Sequence, residues 1–196
     1  MVAAGATVPE VRPMRWGLVP SWARDRSIGA RLINARSESA AEKPAFRAAL
    51  AKRRCIVPAD GFYEWKSIVG SRQKQPMFLY ATDRSLLAMA GLWETWTEAG
   101  ARTGQDVWHT FTILTTNANA AVAPVHDRMP VLLPPSRWSQ WLAPGSLSET
   151  DRREILAPAP EKYLRQHPVS SAVNDARREG PELCEVSEPL VNDLGF

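Results

Sequence analysis

The chain predicts an α+β fold, with mostly antiparallel strands in the core and helices at the periphery. Three observations lead there. Five stretches rich in β-formers follow one another between residues 55 and 116, separated by Gly, Pro, Asn or charged residues. Helical patterning is confined to three stretches that flank this run of strands. The 196 residues are 44% apolar and include eight tryptophans, enough to fill one core, so the simplest organisation is a single domain over 1–196.

In chain order, "MRWGLVPSWARD" (14–25) reads as a strand entering a Trp/Pro turn. "SAAEKPAFRAALAKRR" (39–54) carries the strongest helix signal, being Ala-rich with Phe46 and Leu50 four residues apart. Pro44 has no N–H to give and belongs in that helix's first turn. The strands follow as "CIVPA" (55–59), "GFYEWK" (61–66), "PMFLYAT" (76–82), "LLAMAGLWE" (86–94) and "HTFTILTT" (109–116). "SRWSQWLA" (136–143) and "ETDRREILA" (149–157) read as short helices.

Composition narrows the function classes. A net charge of +3 does not by itself imply nucleic acid, but arginines at 12, 15, 24, 26, 31, 36, 47, 53 and 54 crowd the first quarter. Two cysteines, Cys55 and Cys184, make neither a disulfide framework nor a metal site. The start has no basic region followed by a long apolar stretch, and no apolar run reaches membrane-spanning length. A cytoplasmic, soluble protein is expected, with no membrane partner. No phosphate-cradling glycine loop, nucleophile elbow or metal cluster is visible, so no cofactor and no metal are expected.

A few polar groups are embedded in apolar sequence. Asn34 and Arg36 follow two apolar residues in "LINARSES" (32–39). Glu64 sits between Tyr63 and Trp65; by alternation it shares a face with Phe62 while Tyr63 and Trp65 point the other way. A carboxylate so placed is either paired in a salt bridge or held at a shifted pKa suited to proton transfer. His126, in "PVHDRMPVLLP" (124–134), can move a proton near neutrality or serve as a structural hydrogen-bonder, and Arg128 would share its face. "TTNAN" (115–119) offers polar groups at a strand end, or simply a turn or cap. Trp22 could stack on a base or pack under a loop, and Cys55 reads as a packed core residue.

"RWGLVPSWA", "NARSE", "RRCIVPADGFYEW" and "HDRMPVLL" occur in that order, and with "HPVSSAVNDARREGPELCE" (167–185) they closely resemble the SOS response-associated peptidase (SRAP) family. The resemblance covers nearly the whole chain. It implies a mostly antiparallel β core with barrel-like curvature and flanking helices. It also implies a partner, single-stranded DNA containing abasic sites. In the family a cysteine directly after the initiator methionine offers an amine and a thiol together. The amine condenses with the aldehyde of the opened sugar, and the thiol closes a thiazolidine. By the same resemblance Asn34, Glu64 and His126 match the catalytic residues. Trp22, Arg36, Thr115 and Arg128 match residues that hold the DNA strand.

The start departs from that pattern. It reads "MVAAGATVPEVRPMRW", with Val2 at position 2 and no nearby cysteine. The expectation is a chain N-terminally truncated relative to the family, through a start assigned downstream of the true one or through loss of the segment. An abasic-site crosslinking enzyme and a non-catalytic single-stranded DNA binding module therefore stand as alternatives. A peptidase acting on other proteins is a third, weaker one, since no independent protease triad is visible.

Overall fold

The structure, a computed structural model, describes residues 2–3 (backbone only), 10–98 and 107–190. The elements are β1 (Val2–Ala3), β2 (Glu10–Val11), β3 (Arg15–Trp16), β4 (Asn34–Arg36), α1 (Arg47–Lys52), β5 (Arg54–Ala59), β6 (Gly61–Ser67), β7 (Lys74–Ala81), β8 (Leu87–Thr97), β9 (Val107–Asn117), β10 (Arg128–Pro130), α2 (Pro135–Leu142), α3 (Glu149–Ile155) and β11 (Leu164–Pro168). They fall into two compact units, one of residues 1–58, 88–117 and 130–159, the other of residues 59–87, 118–129 and 160–196.

The first unit is built on a curled sheet in which β9-β8-β5-β1-β2 are neighbours in that order, with β3 and β4 both paired to β9. β8 and β9 are antiparallel, Trp93 opposite Phe111 and Trp96 opposite Trp108. One face packs Ala35, Ile56, Ala90, Leu92, Leu114 and Val131 against Phe46, Leu50, Trp141 and Ile155 of the helical segments. Burying such side chains contributes about 1.5–3 kcal/mol each. Arg54 is 3% exposed within this core. Its guanidinium donates to the carbonyls of Leu50, Ala51, Trp141, Ala143 and Gly145, at the C-terminal ends of α1 and α2. Those carbonyls lack intrahelical partners and carry partial negative charge, so one buried cation fastens both helix ends to β5.

The second unit holds the three-stranded antiparallel sheet β11-β7-β6. Glu64 lies opposite Met77, and His167 lies opposite Phe78. Phe78, Tyr80 and Val169 form its small core, with Tyr63, Val173 and Cys184 packed against them.

The α+β expectation holds, and all five expected strands between residues 55 and 116 are present. One local expectation changes. The helix expected from 39 to 54 reduces to Arg47–Lys52, because the chain turns through Ser39–Phe46, with both Phe46 and Arg47 N–H bonded to the Lys43 carbonyl around Pro44. The strands are mostly antiparallel, as expected, with β3 and β4 running parallel to β9, end to end along it.

Candidate functional site

In the first unit, β4 carries two of the expected residues to the sheet. Asn34 pairs with Ile113 and Arg36 with Thr115, and the Ser37 amide donates to the Thr115 carbonyl at 2.9 Å. Residues paired in register share a face, so Asn34 and Arg36 stand beside Ile113 and Thr115 while Ala35 is buried in the core. Asn34 and Arg36 are exposed and Thr115 is half-buried.

Trp22 lies on a separate turn of the same unit, in which the Ala23 amide bonds the Pro20 carbonyl. It is 60% exposed, so the packed alternative does not hold. The Trp96 indole anchors the turn, donating to the Ala23 carbonyl at 2.7 Å. Two glycines allow the surrounding loop to close. Gly17 has φ of +107°, and a Cβ on Gly29 would lie 2.7 Å from the Gly17 carbonyl oxygen.

In the second unit, β6 presents Glu64 on one face and Tyr63 and Trp65 on the other. Tyr63 packs on Phe78 with ring centres 5.3 Å apart, and Trp65 donates to Asn174 Oδ1 at 2.7 Å. Glu64 is half-buried, with Oε2 3.9 Å from His126 Nε2, an ion-pair spacing rather than a hydrogen bond. Burial raises the Glu64 pKa, and the neighbouring Asp127 charge adds to the rise. The charges of His126 and Lys74 and the Trp65 amide pull the other way.

His126 ends a compact turn. Asn119 Oδ1 accepts from the Val122 amide at 3.1 Å, and the His126 amide donates to the Val122 carbonyl at 3.0 Å. "TTNAN" thus supplies a cap at Asn119, as the simpler alternative had it. The Arg128 amide donates to His126 Nδ1 at 3.0 Å. The same nitrogen lies 3.3 Å from the Arg128 carbonyl oxygen, and Nε2 is the nitrogen that faces Glu64. Asp127 Oδ1, 3.2 Å from Nδ1, adds negative charge beside the ring.

The expected residues therefore fall into two groups, Asn34, Arg36 and Thr115 on the β4–β9 pairing, and Glu64 with His126, whose ring the Arg128 amide holds; Trp22 stands on its own turn. Sequence reasoning gave no role to Asp127 or Lys74. Asp127 was signalled by its place beside His126; Lys74 reaches Glu64 only through the β6–β7 register, which pairs Ser67 with Lys74.

Cys55 is fully buried, as expected, and its thiol pKa is pushed up to about 12 by burial. Cys184 Sγ lies 3.0 Å from the Tyr63 hydroxyl. Among the described residues no three His, Cys, Asp or Glu side chains gather as metal ligands would, and no helix is long and apolar enough to cross a membrane.

Comparison with known proteins agrees with the sequence motifs. An abasic site processing protein of Bacillus subtilis (strain 168), YoqW, is 40% identical over 172 residues, covering 88% of this chain and 75% of that protein. The abasic site processing protein HMCES of Mus musculus is 33% identical over 208 residues, covering 91% of this chain and 57% of that protein. A crystal structure of a Bacteroides thetaiotaomicron protein superposes with a TM-score of 0.82 at 27% identity, covering 95% of this chain and 81% of that one. Residues 1–176 match the sequence profile of SOS response associated peptidase (SRAP), and the chain belongs to that family.

Proposed function

We propose that this protein binds single-stranded DNA at abasic sites as a single SRAP domain, and that a form presenting an N-terminal cysteine captures the damaged sugar as a thiazolidine. The observation that carries the reading is the His126 ring. Its Nδ1 is held by the Arg128 amide, and its Nε2 is directed at a half-buried carboxyl whose pKa is raised. Such a pair sets an imidazole beside a carboxyl that takes up a proton more readily than an exposed one, an arrangement suited to the proton transfers of imine chemistry.

The chemistry is one of addition and loss of water. The terminal amine adds to the sugar aldehyde, and the hydroxyl so formed leaves as water on taking a proton, giving an imine. The thiol then adds to the same carbon, the nitrogen takes up a proton, and a five-membered ring closes. Glu64, protonated more readily than an exposed carboxyl, serves as donor to the departing hydroxyl. His126 shuttles the proton, and Asn34 positions the reacting groups. Arg36 and Arg128 supply fork donors to backbone phosphates, Thr115 lines the strand's path, and Trp22 offers an exposed ring for stacking.

A second reading, a binding module without the covalent step, draws on the setting of the two cysteines: Cys55 is buried and Cys184 Sγ lies against the Tyr63 hydroxyl. One experiment separates the readings. The polypeptide with Val2 and a form beginning Met-Cys-Gly-Arg are incubated with an abasic single-stranded oligonucleotide and resolved after heating. Under the first reading only the cysteine form gives a heat-stable band, and Glu64→Gln in that form slows its appearance while leaving binding intact. No band from either form, with binding retained, leaves the module; absence of binding removes both.

A further inference from the structure

A cleft of about 420 Å³ opens in the first unit between β3, the 25–30 segment and Trp108. It is apart from the Asn34 and Arg36 side chains. Arg15 pairs with Thr110, so by alternation it lies on the Trp108 face of β9, whereas Trp16 pairs with Phe111 on the face shared with Ile113 and Thr115. The cleft has an unusual cationic lining. The guanidinium carbons of Arg15 and Arg26 lie 5.0 and 4.6 Å from the centre of the Trp108 ring.

A guanidinium held against an indole keeps its edge N–H donors for a partner such as a phosphate oxygen. Among the described residues neither arginine forms an ion pair. The one carboxylate in the lining, Asp25, feels the charge of Arg26 but is taken up by Ser27, whose amide and hydroxyl donate to it at 2.9 and 2.8 Å. Between residues 15 and 36 the chain carries five arginines, all exposed, against that single Asp. At the lip, Trp16 is 52% exposed, its indole fixed by a 2.7 Å bond to the Ile33 carbonyl and stacked on Phe111.

We propose that this cleft is a second phosphate-binding subsite, which takes the phosphodiester of a nucleotide flanking the damaged one, with Trp16 as a stacking platform where the strand rounds the β3 edge. This rests on the single-stranded DNA reading above. Adjacent residues Trp16 and Arg15 point to opposite faces of an edge strand. A polynucleotide lying along Asn34 and Arg36 thus meets first an aromatic ring and then two guanidinium groups as it crosses that edge. The cleft is large enough for a nucleotide rather than a lone anion.

The test compares binding of a short abasic oligonucleotide with that of a longer one having undamaged flanks, by fluorescence anisotropy over a salt series, for the full chain. The double variant Arg15→Gln/Arg26→Gln should bind the long strand about tenfold more weakly. Its log–log salt slope should be shallower by roughly 1.4, about 0.7 for each lost phosphate contact, with short-strand binding unchanged. The Arg15→Lys/Arg26→Lys variant keeps charge without the fork, so it should retain the slope while losing part of the affinity. If the glutamine variant unfolds, the lysine variant carries the comparison, and long-strand affinity equal to the parent's overturns the proposal.

Unchanged long-strand affinity in the glutamine variant, while Arg36→Ala weakens both lengths, sinks the subsite and leaves the DNA reading standing. An equal loss on both lengths overturns the flanking assignment. Failure of the parent to bind either strand brings down both.

Discussion

Arg54 Nε donates to the main-chain carbonyl of Trp141 at 2.6 Å, inside a core where the Trp141 side chain is itself fully buried. The Trp141 indole returns a 2.8 Å bond to the carbonyl of Cys55, the residue after Arg54. Helix α2 and strand β5 are thus tied twice, in opposite directions. Replacing Arg54 by Met would strip partners from five carbonyls, two of them, on Leu50 and Trp141, in buried bonds. The expected loss is about 3 kcal/mol or more, read as a lower denaturant midpoint. Arg54→Lys should recover only part of it, since one ammonium cannot reach all five acceptors.

Glu64 gives a pH dependence with a definite sign. Its folded pKa lies above its unfolded one, chiefly through burial. What it contributes to stability is therefore fully present below the unfolded carboxylate range and is lost as pH rises through the raised folded value. Glu64→Gln should be more stable than the parent at neutral pH, and the two should converge as pH falls below about 4. Thermal melts across that range check it; a gap that widens toward acid would mean the carboxylate is instead stabilised by its neighbours.

Arg36 and Arg128 differ in setting, and their variants should still behave alike in one respect. Arg36 is exposed, and at Arg128 it is the main-chain amide that holds the His126 ring, which an Ala substitution retains. Arg36→Ala and Arg128→Ala should each weaken single-strand binding and flatten its salt dependence by about 0.7. Their melting temperatures should stay close to the parent's. A large drop for Arg128→Ala would place its side chain in a structural network.

The Gly17–Gly29 approach should be intolerant of a methyl group. A Cβ at Gly29 meets the Gly17 carbonyl oxygen at 2.7 Å and Val19 Cγ2 at 3.1 Å. Gly29→Ala is expected to cost roughly 1–3 kcal/mol through forced backbone shifts. Because the same loop carries Trp22, it should also reduce single-strand binding, which Trp22→Ala should lower without the stability loss.

Much of this was legible in the chain, and what was not has physical causes. The alternation of Tyr63, Glu64 and Trp65 gave the faces of β6 correctly, because a strand's side chains must alternate. The helices α2 and α3 begin where Pro135 and the Ser148 cap allow, signals local enough to read directly. The parallel pairing of β3 and β4 was not readable, since strands of two and three residues carry no period of their own. Lys74 acts on Glu64 through a cross-strand register, which no single segment encodes. Trp22 is apolar with a polar tip, equally suited to core or surface, and the turn around it decided for the surface.

The laying of β4 against β9 has a kinetic consequence. Asn34 and Arg36 take their places only when a partner strand some eighty residues further along has been made and brought back. Closing so long a loop is entropically costly and slow. On the ribosome, this pairing cannot form until Thr115 has emerged. Arg36 must therefore wait, unplaced, while some eighty further residues are made, and a nascent chain halted before β9 would have no such surface to offer.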